Sequence, residues 1–106
     1  MKRVGFCLKV KQDMMPEYIR RHEAVWAEML QALRETGWQR YSLFIRDDGL
    51  LFGYLETEDF DRALAGMATR EVNTRWQRDM APFFEIEPGR QPDQAFTVLR
   101  EVFHLD

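Results

Sequence analysis

The stretch Arg40-Tyr41-Ser42-Leu43-Phe44-Ile45-Arg46, then Asp47-Asp48-Gly49, then Leu50-Leu51-Phe52-Gly53-Tyr54-Leu55-Glu56 decides the fold. Both arms are rich in Leu, Phe, Tyr and Ile, which suit a pleated, half-buried surface. Asp-Asp-Gly between them is a turn signal, so the stretch reads as a β-hairpin.

Helical patterns flank the hairpin on both sides. Before it, Tyr18, His22, Trp26, Met29, Leu30 and Leu33 recur at three- and four-residue steps, while Glu17, Arg20, Arg21, Glu28 and Glu35 fall elsewhere. That spacing predicts one amphipathic helix, capped by Asp13, tolerating Pro16 in its first turn and stopped by Gly37. After the hairpin, Thr57 or Asp59 opens a helix to about Ala68. A second helical piece follows from Arg70 to about Phe83, with Val72, Trp76 and Met80 on one face. The outermost elements are strands. Val4, Phe6, Leu8 and Val10 alternate with Gly5, Cys7 and Lys9, and Phe96 to Leu105 carries Val98 and Val102 on one face and Leu99 and Phe103 on the other. Glu87 to Asp93, with Pro88, Gly89 and Pro92, is the one loop-like stretch.

The order β-α-β-β-α-β predicts a ferredoxin-like α+β sandwich, an antiparallel sheet with helices on one face. Both faces of the second strand carry large residues: Tyr41, Leu43 and Ile45 on one, Ser42 and Phe44 on the other. A small sheet that is apolar on both sides needs cover, most simply a second copy related by two-fold symmetry, giving a dimeric α/β-barrel-type assembly.

With 106 residues, 45% hydrophobic and 31% charged, the chain has the profile of a single domain spanning 1–106 with a real core. The net charge of −3 gives no reason to expect nucleic acid as a partner. No apolar run approaches the ~20 residues of a membrane span, and the charged start of the chain does not read as a signal peptide. The one cysteine, Cys7, has no internal partner, which points to a reducing, cytoplasmic compartment.

Of the two histidines, His22 stands out. Imidazole titrates near neutrality and serves as a general acid or base. Tyr18 and Trp26, one helical turn to either side, would offer a hydroxyl and a flat apolar face suited to the C–H face of a sugar ring. A core histidine satisfied by a backbone carbonyl shows the same pattern. His104 reads as an edge or interface residue, Cys7 as strand packing and Asp47-Asp48 as a solvated turn. Trp76 fits a core position, and Tyr41 fits core, rim or ligand contact. Histidines and cysteine lack metal-ligand spacing, and the glycines are isolated, so neither a metal site nor a phosphate loop is expected.

Tyr18-Ile19-Arg20-Arg21-His22, Val25-Trp26 and Glu28-Met29 resemble the first helix of the L-rhamnose mutarotase family. The resemblance continues collinearly through Gly37, Tyr41-Ser42-Leu43, Leu50-Leu51-Phe52-Gly53, Arg75-Trp76 and Glu101-Val102-Phe103-His104-Leu105. It implies a dimeric ferredoxin-like enzyme that needs no cofactor and interconverts the α and β anomers of a deoxy-sugar pyranose. His22 would be the catalytic acid/base, and Tyr18, Tyr41 and Trp76 would occupy substrate-contact positions. The chain departs from the family pattern in four places. Gln77 replaces a second tryptophan, Glu87 to Pro92 replaces an Asn-Pro-Asp-Asn-Ser-Pro segment, Ala27 stands where the family has Pro, and so does Asp106. The first two fall where a sugar would be gripped, which brings in related 6-deoxy sugars such as L-fucose beside L-rhamnose. Two other readings fit a dimeric ferredoxin-like fold: a small cofactor-free oxygenase, and a sugar-binding domain without turnover.

Overall fold

In the computed structural model, which describes residues 1–106, the central hairpin forms one side of a four-stranded sheet ordered β2-β3-β1-β4. The strands are β1 (Lys2–Lys9), β2 (Gln39–Ile45), β3 (Leu50–Thr57) and β4 (Thr97–Leu99), all antiparallel to their neighbours. Four helices complete the chain: α1 (Met15–His22), α2 (Ala27–Glu35), α3 (Phe60–Ala68) and α4 (Glu71–Met80). The predicted α+β order therefore holds, with the first expected helix split in two and the two helical pieces after the hairpin found as α3 and α4. Of the two candidates for starting α3, Asp59 does so, its carboxylate accepting from the Arg62 amide at 3.1 Å.

The alternation read from β1 sets the core. Val4, Phe6, Leu8 and Val10 are buried beneath the helices, together with Leu51 and Leu55 of β3. Tyr41, Leu43 and Ile45 pack against the same core, while Ser42 and Phe44 face outward.

Three expectations fail locally. The helix predicted from Asp13 to Gly37 breaks between His22 and Ala27. Trp26 leaves helical geometry with ψ of 134° and sets its ring edge-on against Trp76 at 5.0 Å. Packing of one large aromatic outweighs local propensity, which is strong for Ala24 but only middling for Val25 and Trp26. Ala27 is the first residue of α2. Proline is favoured at that position, so the family's Pro marks this helix start and Ala27 removes the mark. Asp13 caps nothing, because the turn Gln12–Met14 closes on backbone alone, Met14 N–H donating to the Lys11 carbonyl at 2.9 Å. The last strand is short. Beyond Leu99 the register would bring Glu101 opposite Arg3, and there a bidentate ion pair at 2.8 and 2.9 Å replaces backbone pairing. Val102, Phe103 and Leu105 are then 82%, 79% and 79% exposed.

One irregularity matters for the site. The pairs Gln39–Glu56 and Ser42–Tyr54 leave one extra residue in β2, a bulge at which Arg40 adopts φ of 48°. Without it, Trp38 and Tyr41, three positions apart, would face opposite sides of the sheet. The extra residue turns both toward the helices, with ring centroids 5.0 Å apart.

Candidate active site

His22 is the last residue of α1, where the helix break leaves its ring half-buried at a cavity mouth. Its Nδ1 lies 2.9 Å from the Tyr18 carbonyl. A carbonyl only accepts, so Nδ1 carries the proton and Nε2 keeps its lone pair. The imidazole packs at a tilt against Tyr18, ring centroids 4.2 Å apart, and meets Trp76 edge-on at 5.5 Å. Burial pushes its pKa below the ordinary value, and the bond to Tyr18 opposes this only in part. The neutral ring with a free Nε2 is therefore the resting form near neutral pH.

The cavity holds about 340 Å³, within the range of small-ligand sites. His22, Trp38, Tyr41, Trp76 and Phe96 supply its aromatic lining, and Met29 is among the aliphatic residues that complete the apolar wall. Phe96 belongs to an aromatic cluster, tilted against Phe6 at 4.0 Å and stacked with Phe60 at 6.3 Å. Burial, and after it the charge of Asp93, pushes the Tyr41 hydroxyl above its ordinary range, so it stays protonated and able to donate.

Three of the four residues singled out in the sequence thus meet in one space: His22, Tyr41 and Trp76. Tyr18 does not line this cavity. It lies in the core behind His22 and borders a shallower cleft on the other side of the imidazole. Trp26 is displaced as well. It backs Trp76 under the Arg75 guanidinium, 5.7 Å above its ring, and does not share a helix face with His22. His104 pairs with Asp106 in the exposed tail, Asp48 is fixed by Arg46 in the hairpin turn, and Cys7 lies on the outer sheet face.

Asn73 and Asp93 line the cavity without having been marked as candidates. Asn73 shares a helix face with Trp76 and Gln77, a polar flank to the Val72/Trp76/Met80 stripe that four-residue spacing makes visible. Asp93 gave no such signal, because its loop folds back only in three dimensions.

Fold and cavity together describe a small α+β enzyme equipped for proton transfer on a monosaccharide-sized ligand. Comparison with known proteins makes this specific. A profile of the L-rhamnose mutarotase family matches residues 3–105. L-rhamnose mutarotases of Bacillus subtilis and Oceanobacillus iheyensis are 40% and 37% identical over 107 residues, covering 100% of this chain and of each relative. The crystal structure of an L-rhamnose mutarotase from Formosa agariphila superposes with a TM-score of 0.79 at 26% identity, covering 100% of both chains. The chain belongs to the L-rhamnose mutarotase family, and its chemistry is that of an isomerase exchanging sugar anomers. That supports anomer exchange over the oxygenase and over the domain without turnover.

Proposed function

We propose that the chain interconverts the α and β anomers of L-rhamnose, or of a related 6-deoxy sugar such as L-fucose, with His22 moving the proton. The observation that carries this is the shared cavity of His22, Tyr41 and Trp76 with Nε2 of His22 unengaged. Neutral Nε2 takes the proton of the anomeric hydroxyl as the bond from C1 to the ring oxygen breaks. A proton returns to the ring oxygen, the C1–C2 bond of the open aldehyde rotates, and closure on the other face reverses the steps. Both oxygens sit on C1, so one imidazole reaches both. Tyr41 donates to a sugar hydroxyl, and Trp76 packs on the apolar face and the 6-methyl group. Tyr18 serves as a positioning residue whose carbonyl and ring fix the tautomer and plane of His22. None of these steps calls for a metal or cofactor.

The test is anomer exchange by NMR, saturating one anomeric proton of L-rhamnose or L-fucose and observing the other. Transfer well above the buffer rate with either sugar is the expected result. Buffer-level exchange with both would overturn the reading.

The reading extends to a homodimer of the barrel type, in which a second copy covers the outer sheet face. Support comes from Phe44, 64% exposed, from Phe52 paired beside it, from Leu99 at the opposite edge of the sheet, and from the apolar tail. An uncovered patch of this kind is unusual on a monomer. Phe44→Glu places a charge in that interface, and sedimentation velocity should show the dimer mass falling to that of one chain. A variant that stays dimeric would exclude this face. The reading also takes residues 1–106 as one domain, working in a cytoplasm that keeps Cys7 reduced.

A further inference from the structure

We propose that Asp93 determines substrate specificity by accepting hydrogen bonds from the hydroxyl groups of a neutral sugar. The inference rests on the mutarotase reading of the same cavity.

Asp93 stands in the cavity wall with His22, Tyr41 and Trp76, although it comes from the turn Pro92–Gln94, remote in sequence from all three. Its orientation is fixed from behind. Gln77 Nε2 donates to Asn73 Oδ1 at 3.0 Å, and Asn73 Nδ2 donates to Asp93 Oδ2 at 3.0 Å. Asn73 is only 4% exposed, so this relay is held in place by the core. Oδ1 of Asp93 accepts no hydrogen bond from the protein. A carboxylate only accepts, so the relay ends in a preoriented acceptor that demands donors from its ligand. Sugar hydroxyls supply them. A sugar acid or phosphate ester would bring like charge to the same point and is disfavoured.

The position also orients the ring. Asn73, Gln77 and Asp93 border a second concavity of about 350 Å³, where Thr74, Gln91 and Gln94 make the lining polar. The hydroxyl-bearing edge of the sugar therefore faces this relay, and its apolar face lies against Trp76.

The experiment compares wild type with Asp93→Asn in anomer exchange, using the accepted sugar and its 2-, 3- and 4-monodeoxy analogues. Asn73 still needs an acceptor, so the new amide turns its oxygen inward and presents a donor where the sugar needs an acceptor. Wild type should handle one analogue roughly 10–100-fold less well in kcat/KM, the value of a hydrogen bond to a charged group. Asp93→Asn should lose about the same factor on the intact sugar, through KM, and should no longer discriminate that analogue. Asn73→Ala, which frees the carboxylate, should shift the ratio in the same direction by less. An unchanged ratio across all analogues in Asp93→Asn, or a uniform loss on every sugar, would overturn the proposal. Absence of exchange by wild type would refute the mutarotase reading instead, and the same ratios taken from calorimetric binding would still decide on Asp93.

Discussion

His22→Ala is expected to lower kcat for anomer exchange by about 10²–10⁴-fold, with KM changed much less. Removing the imidazole takes away the only histidine in the cavity wall, the group assigned to move the proton. It leaves Tyr41, Trp76 and Asp93 in the wall, so the sugar still binds. His22→Gln offers similar volume without a titratable base and should fail to the same degree. Full activity in either variant would refute the assignment. The pH profile gives a second check. Burial sets the folded pKa below the ordinary ~6.5, and the proposed mechanism uses the neutral form. The rate should therefore stay level through neutrality and fall only on the acid side. Stability follows the same sign. Between the two pKa values the unfolded chain binds the proton and the folded chain does not, so stability declines as pH drops from the unfolded value through the folded one. A rate that instead rose toward acid would make imidazolium the working form.

Gly53→Ala should destabilise the protein by about 3 kcal/mol, the upper part of the range for overpacking a core, and lower the melting midpoint by more than about 10 °C. An ideal Cβ at Gly53 would lie 2.1, 2.4 and 2.7 Å from three carbons of the Phe6 ring. Phe6 is fully buried and packs tilted against Phe96 with ring centroids 4.0 Å apart, so it has no room to retreat. Its ring also neighbours Tyr41 at 6.3 Å, and both Tyr41 and Phe96 line the cavity. The folded fraction of the variant should then lose activity too. The double variant Gly53→Ala with Phe6→Leu should recover part of the stability, because the two sites share one contact. A thermal melt unchanged by Gly53→Ala would mean that Phe6 does not press on β3 as described.

Legibility in the sequence followed the range of the interaction. The hairpin, the alternation of β1 and the stripe of α4 rest on contacts within one or two turns, and short-range periodicity reports those directly. His22 was legible because it lies in an apolar stripe. Tyr41 and Trp76 entered the site through the family resemblance, since core packing explained their local patterns equally well. The break after His22 was hidden, because its cause is the docking of Trp26 on Trp76, fifty positions away. The shortened β4 was hidden as well, because pairing there depends on how far β1 extends and on the ion pair of Arg3 with Glu101.

By itself, then, the sequence determined the α+β order, the hydrophobic side of each strand, the acid/base candidate and the family resemblance. Each of these is written in local spacing or in collinear blocks of residues. Only the tertiary structure decided which side chains share the cavity. It placed Tyr18 behind His22, used the bulge at Arg40 to turn Trp38 and Tyr41 to the same side, and brought Asp93 against Asn73 from a distant loop. Those placements depend on chain reversals and on packing between remote segments, and no spacing rule along the chain encodes where such segments meet.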